Sequence, residues 1–592
     1  MSRRHLLWAY LSVIAAALAA YATALHGSFV NWDDEWLVLR NPYVRDLTHL
    51  GTVLDPFATR MLLGAEYLPL RDLNTILDIR LFGLNPLGYR FGNWVLYGLT
   101  AGLGFTLLLE VLRDHRAAFA GALLWAVHPL HAEVVAWASA RKDLLNAVFA
   151  LLAAVLWLRG VRTGSVRTKW AAHGAFLLAT LSKSSAAALP GILALHEVLT
   201  GDRSIPPARR LFRATLGVLP MLVVAAAGAA LHSLHQAAVG AGPGWRGGDW
   251  LTNLFVVAGV HLRYLRQAVL PYGLANDYAA DIGGAGGAWT LAGLGLSVLL
   301  AVGAILAARR APRVAWCGHW WLLLLVPVSN VLVPITNLSA DRYLFLPTLG
   351  ACALAGLGLS GWAARGPGAA RSAAAALAAV TAVFGLLSAR QALVWRDSVA
   401  LWSNAVEVSP RCGRAWMNHG EALAAAGRID EALASFRRMI EAEPLVANLW
   451  VHAGNRLYAL GGPERIQEVE AILQRGVAKA GPTEGGPLVA LAWLRGQQGD
   501  REGAVRLLQE AVRRQPRLPQ AHYNLGIWHE WHRRWEEACE EYGTALDLWL
   551  PLPDQIDTHR RLVGISEQLG DAEGAARHRA RVEELRLLSG GE

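Results

Sequence analysis

Asn31-Trp32-Asp33-Asp34-Glu35-Trp36 follows closely on an apolar run, Leu6 to Leu25. A run of about 20 such residues is long enough to cross a bilayer as a helix. Three carboxylates between two tryptophans come next, and tryptophan prefers the headgroup level. Asp33 and Asp34 are therefore expected at a membrane surface. A carboxylate held there can serve as a general base if its surroundings tune it; the plainer alternative is a solvated acidic turn that ends the helix. Arg3-Arg4 and Ala22-Thr23-Ala24 also fit a cleavable signal peptide. The apolar run is longer than a usual signal core, which favours a retained anchor.

Outward from this stretch the chain divides in two. Of 592 residues, 54% are hydrophobic and 17% charged; the apolar excess lies before about residue 393 and most charge after it. The expected fold is all-α, with a polytopic helical membrane domain over 1–396 and a helical-repeat solenoid over 397–592. Apolar runs near 6–25, 92–112, 117–131, 143–160, 170–182, 185–199, 212–232, 289–308, 314–335, 343–363 and 372–393 suggest about eleven spans. The first non-cytoplasmic loop covers about 26–91. Segment 250–271 carries His261, Arg263 and Arg266 and reads as interfacial or re-entrant.

The formal charge of +9 does not indicate nucleic acid. The basic residues sit in short loops, from Arg3-Arg4 to Arg365–Arg371, which fall on one side in this count. By the positive-inside rule that side is cytoplasmic. The N-terminus is then cytoplasmic and the repeats periplasmic, in a bacterial inner membrane. The four cysteines show neither a disulfide framework nor metal spacing.

This topology gathers scattered polar residues on the opposite face: Asp33-Asp34, His128 to Glu133, Arg141-Lys142-Asp143, Lys183, Asn276-Asp277-Tyr278 and Asp341-Arg342-Tyr343. An ionisable residue at membrane depth, such as Lys183, is a functional candidate, against the alternative of a snorkelling lysine. Clustered cations suit a lipid phosphate, Arg as a fork and Lys as a point charge. His128, His131 and Glu133 could be read as metal ligands, but the histidines are spaced across Pro129, unlike a His-Glu-x-x-His helix. The sequence leaves room for a divalent metal without requiring one.

From about Asp397 amphipathic helices recur with a period near 34, the tetratricopeptide signature. Trp416, Gly420, Leu423, Ala432, Phe436 and Pro444 occupy one repeat, and Gly526, Ala538, Tyr542, Ala545 and Pro551 another. Ala504, Leu508, Ala511 and Pro516 mark a third, with a degenerate last unit at Gly570 and Ala575 and an irregular one over 448–482. Such stacks present a concave surface to peptides or proteins.

Taken in order, Phe29-Val30-Asn31-Trp32-Asp33-Asp34, Tyr67-Leu68-Pro69-Leu70, Asn93, Val127 to Glu133, Ala140 to Asp143, Leu181-Ser182-Lys183, Ser329-Asn330 and Ala340 to Pro347 resemble one family. That family is the transmembrane and tetratricopeptide-repeat protein O-mannosyltransferases and their bacterial relatives, within glycosyltransferase superfamily C. The resemblance covers nearly the whole chain. It implies an enzyme that moves a sugar, mannose by the family's name, from a polyprenyl-phosphate donor to a hydroxyl of a protein or glycan on the non-cytoplasmic face. It implies Asp33 or Asp34 as the base and Lys183, Arg342 and Arg141 on the donor phosphate; of the two aspartates Asp34 is preferred, because Trp32 and Asp33 should be held closer to the membrane. His128, His131, Glu133, Asp277 and Tyr343 would support them. Ser184 stands where relatives often carry an acidic residue. The implied partners are the lipid-linked donor, the acceptor (reached through the repeats) and membrane lipids. The competing class is a non-enzymatic membrane-anchored scaffold that recruits periplasmic proteins through its repeats.

Overall fold

The computed structural model describes residues 2–58, 66–201, 204–238, 244–279, 286–335 and 337–588; Arg203 and part of the 26–91 loop lie outside these. All regular structure among them is helical. Two compact units divide at Val408/Ser409, twelve residues after the expected 396/397 boundary.

The first unit begins with α1 (Arg3–Ala20), then a connection that carries the short α2 (Leu50–Leu54) and α3 (Pro69–Phe82). Next come α4 (Pro86–Leu112), α5 (His115–Ala126), the short α6 (Ala132–Ala136), α7 (Arg141–Thr163), α8 (Val166–Ser182), α9 (Leu189–Thr200) and α10 (Pro207–Ala238). It closes with α11 (Trp250–Val269), α12 (Ala288–Arg310), α13 (Pro312–Leu325), α14 (Thr348–Ala363), α15 (Pro367–Val394) and α16 (Ser398–Val408). Local chemistry sets the ends. Asn85 caps α4 ahead of Pro86, Asp114 caps α5 and Ser165 caps α8, each accepting a backbone N–H. Small residues let helices approach closely: a Cβ on Gly356 of α14 would lie 2.3 Å from the Ala117 carbonyl of α5.

Five helical stretches among the described residues are long and apolar enough to cross a membrane, over Pro86–Leu112, Ala138–Thr163, Pro207–His235, Ala288–Arg310 and Pro367–Val394. His115–Ala126 with Pro129–Ala136 makes a sixth, bent by 50°. The remaining expected spans are shorter helices. The bend follows from Pro129, which cannot donate to the ladder and starts a new turn. The 250–271 segment is one continuous helix, α11. Its start bonds Asn330 through Asn253 (2.8 Å) and its end bonds Ser339 through Arg263 (2.6 Å). Asn253 and Arg263 thus both touch the connection 326–347.

The second unit is five helix pairs. They are α17 (Gly413–Ala425) with α18 (Ile429–Ala442), α19 (Ala447–Gly461) with α20 (Ile466–Lys479), and α21 (Gly486–Gln497) with α22 (Arg501–Arg514). The last two are α23 (Pro519–Trp531) with α24 (Trp535–Asp547), and α25 (Leu552–Leu569) with α26 (Ala572–Leu588). The repeat residues act as read: a Cβ on Gly420 would lie 2.6 Å from Phe436, and one on Gly526 2.6 Å from Tyr542. A large side chain of each second helix fills the notch left by a glycine of the first.

Candidate active site

The acidic turn is clamped before it reaches its carboxylates. Arg90 of α4, fully buried, donates to the carbonyls of Ala24 (3.1 Å), Ser28 (2.6 Å) and Trp395 (2.6 Å). Ser28 N–H reaches the Arg396 carbonyl at 2.7 Å and Asn31 N–H the Ser398 hydroxyl at 2.8 Å. Trp402 of α16 donates to Asn31 at 2.6 Å and packs edge-on against Trp32, 5.1 Å between centroids. These contacts explain why 397–408, expected to open the repeats, packs with the first unit.

The two aspartates then diverge. Asp34 has helical backbone angles (φ −59°, ψ −35°) and is fully buried. One carboxylate oxygen accepts Val30 N–H at 3.0 Å; the other accepts Ser139 N–H at 3.0 Å and the Ser139 hydroxyl. Asp33 keeps 40% of its side chain exposed and lies 3.8 Å from Lys142 Nζ. The oxygens of Asp34, the base preferred from the sequence, anchor the turn, while Asp33 faces outward beside a cation.

Burial lifts the Asp34 carboxyl from 3.8 to about 6, against hydrogen bonds from Ser139 and Val30. A raised carboxyl favours folding in its protonated form. That contribution is full below about pH 3.8 and is lost as pH rises through about 6. It amounts to about 3 kcal/mol. The stability of the protein relative to Asp34→Asn should therefore fall between about pH 4 and pH 6 and level off above. Thermal unfolding of both forms across that range checks this; parallel curves would exclude a buried, titrating Asp34.

Four cations meet carboxylates at the same end of the unit. Lys142 also lies 3.5 Å from Glu66, and Glu66 is 3.2 Å from Arg71. Burial would raise the Glu66 carboxyl, but Lys142 and Arg71 outweigh it and hold it at about 2. Lys183, at the break between α8 and α9, pairs with Asp143. Asn146 ties that break down through the Lys183 carbonyl at 2.9 Å. Arg342 pairs with Glu133, which also accepts the Arg342 backbone N–H at 2.8 Å. Tyr343 lies beneath both cations, its ring 5.3 Å from the Arg342 guanidinium and 6.0 Å from Lys183 Nζ. Asp143, Asn146, Lys183, Arg342 and Tyr343 line one narrow cleft of about 30 Å³. Beside it, an apolar cleft of about 290 Å³ between α11, α12 and α13 shares Val328 with the first.

Arg141 does not join this group. Its guanidinium bonds Asn93, Asn74 at 2.7 Å, Asp78 at 3.0 Å and the Tyr89 carbonyl at 2.8 Å, so it ties α7 to α3 and α4. Lys142, one residue on, faces Asp33 instead. His131 bonds Tyr97 at 2.9 Å and Thr348 at 3.0 Å, and His128 the Ala268 carbonyl at 3.1 Å. With Glu133 held by Arg342, these three side chains do not form a ligand set, and among the described residues no three His, Cys, Asp or Glu side chains converge as a metal site. Asp277 is buried and accepts Tyr278 N–H at 3.0 Å. Glu66, Arg71, Arg90 and Ser139 were not singled out by sequence. Glu66 and Arg71 flank Tyr67-Leu68-Pro69-Leu70 and Ser139 directly precedes Ala140 to Asp143, so three of the four adjoin a motif, and only Arg90 left no such sign.

The tetratricopeptide repeat family matches residues 387–446 and 489–549. Mouse protein O-mannosyl-transferase TMTC4 is 24% identical over 492 residues, 73% of this chain and 66% of its own length. Drosophila melanogaster protein O-mannosyl-transferase Tmtc3 is 24% identical over 515 residues, 73% of this chain and 54% of its own. Mouse TMTC1 is 35% identical over 156 residues, 25% of this chain and 16% of its own. These matches thus span two thirds or less of the curated relatives' length. Among solved structures, Pseudomonas aeruginosa pilF is similar at 15% identity and a TM-score of 0.27, over 33% of this chain and 83% of its own. The type IV pilus biogenesis factor PilW is similar at 20% and 0.26, over 33% and 86%. Across 73% of its length, with tetratricopeptide repeats toward its C-terminal end, the chain is a relative of the TMTC protein O-mannosyl-transferase family.

Proposed function

We propose that the chain is an integral-membrane glycosyltransferase that passes a sugar from a polyprenyl-phosphate donor to a hydroxyl of a protein or glycan on the non-cytoplasmic face. The observation that carries this is an outward-facing carboxylate, Asp33, 3.8 Å from Lys142, whose neighbour Asp143 pairs with Lys183 in the cleft that Arg342 also lines. A neutral hydroxyl is a weak nucleophile and gains from a positioned base. Asp33 takes the acceptor proton as the oxygen bonds to the anomeric carbon. The bond from that carbon to the phosphate oxygen breaks, and the electron pair leaves with the polyprenyl phosphate. Lys183 and Arg342 hold the charge that develops there. Lys142, 3.8 Å away, holds Asp33 in place. The apolar cleft beside the cations suits the carrier chain, since hydrocarbon gains from leaving water while the phosphate stays with its cations.

The test mixes the purified protein, in vesicles, with radiolabelled polyprenyl-phosphate sugars and follows label into protein or glycan. Lys183→Ala should weaken donor use by roughly 1.5–3 kcal/mol, the worth of a hydrogen bond to a charged group, seen as a raised donor KM. Label that never leaves the carrier in the wild type would dismiss the transferase and leave the repeat scaffold.

A further inference from the structure

The segment 273–278 is irregular, yet it is buried. Leu274, Ala275, Asn276, Asp277 and Tyr278 are each at most 7% exposed. It is gripped from several elements. The Leu274 carbonyl accepts from Gln391 of α15 (3.3 Å) and Asn404 of α16 (2.8 Å). The Tyr278 hydroxyl accepts from Gln267 of α11 (2.8 Å) and Ala275 N–H (2.9 Å), and donates to Asp341 at 2.6 Å.

Inside this rigid frame one side chain is bare. Neither the oxygen nor the nitrogen of the Asn276 amide has a hydrogen-bond partner among the described residues. The Gln267 side-chain oxygen, fully buried, is bare as well, and so are the Arg263 and Arg266 Nε atoms of α11. Buried polar groups are ordinarily bonded, because leaving them unmade costs stability. A stretch that gathers several unmet ones is arranged for a ligand that supplies the missing partners.

The chemistry of the bare atoms narrows that ligand. A carboxamide offers donors and an acceptor together, and Gln267 adds an acceptor. A hydrocarbon chain does neither, and a phosphate, which only accepts, could meet the Nε atoms but would leave the Asn276 and Gln267 oxygens bare. Hydroxyls on neighbouring ring carbons donate and accept at once. The location narrows it further: Asp341, which holds Tyr278 and lies 3.4 Å from the Gln267 amide nitrogen, directly precedes Arg342. The sugar of a glycosyl phosphate is bonded to the phosphate itself and so must lie next to the phosphate-binding cation.

Building on the transferase reading above, we infer that segment 273–278 with Gln267 is the sugar-recognising wall of the donor site, and that Asn276 bonds ring hydroxyls of the donor sugar. It is a specificity determinant separate from the phosphate cations.

Asn276→Leu tests this in the full-length protein in vesicles. It keeps the size of the side chain and removes an unmet polar group. A merely structural Asn276 would leave turnover alone and hold or raise the thermal stability. The expected result is a donor KM raised tenfold or more, with inhibition by sugar-free polyprenyl phosphate unchanged and the unfolding temperature equal or higher. Asn276→Ala should show the same pattern and stands in if leucine disturbs the packing. An unchanged donor KM overturns the inference. So does an equal weakening of the sugar-free carrier, which would place Asn276 on the phosphate. A raised acceptor KM with an unchanged donor KM overturns it too, by moving the hydroxyls to the acceptor. Failure of the underlying reading is distinct, because the wild type itself would then transfer no label.

Discussion

Asp33→Asn is expected to lower the transfer rate by about a hundredfold to ten-thousandfold, the usual loss when a general base is removed. The substitution keeps the shape of the side chain and withdraws only the proton acceptor. Folding should survive, because Lys142 retains Glu66 at 3.5 Å and Asp33 is the exposed member of the acidic pair. Single-turnover transfer from radiolabelled donor measures the rate, and binding of sugar-free polyprenyl phosphate checks that the donor site is intact. A wild-type rate would remove the turn from catalysis. Asp34→Asn should differ in kind, since it disturbs the anchor at Val30 and Ser139 and so shows first in thermal stability.

Glu133→Ala should lower the stability of the first unit by about 3–5 kcal/mol, because it leaves the buried Arg342 guanidinium without its counter-charge. Both side chains are nearly inaccessible, 2% and 7% exposed, so water reaches Arg342 only through the cleft it lines and replaces the lost partner poorly. The double variant Glu133→Ala with Arg342→Met should recover much of the folding, since apolar replacement of a buried pair is often neutral. Transfer should stay lost in it. Thermal unfolding in detergent and label transfer read the two effects separately. Recovery of transfer in the double variant would assign Arg342 to structure alone.

The division into an apolar unit and a repeat unit was legible because both leave periodic marks, long apolar runs in one and small and aromatic residues at a 34-residue period in the other. The polar clusters were legible as candidates because charge is rare in apolar surroundings. Their pairing was not. Nothing in the order of residues says that Lys183 meets Asp143, or that Arg342 meets Glu133 rather than its neighbour Asp341. These partners lie 40 and 209 positions apart in the chain. Arg141 and Lys142 show the same limit: adjacent cations on a helix point about 100° apart, and only the packing of α3 and α4 decides which is used up. The divergence of Asp33 and Asp34 has a local cause. Both stand on one helical turn, where neighbouring side chains point about 100° apart, so Asp34 goes inward to Ser139 and Asp33 outward.

Arg90 joins carbonyls at residues 24 and 28 to one at residue 395, and this sets an order in time. A ribosome that has delivered both aspartates still has more than half the chain to make before Trp395 and Ser398 exist. At about 5–20 residues per second that wait is roughly 20 to 70 seconds. Through it, Arg90 lacks one of its three carbonyls and the backbone of the acidic turn lacks its far wall. A nascent chain therefore carries the proposed base long before it can hold it in place, and the arrival of the last helix of the unit completes the site.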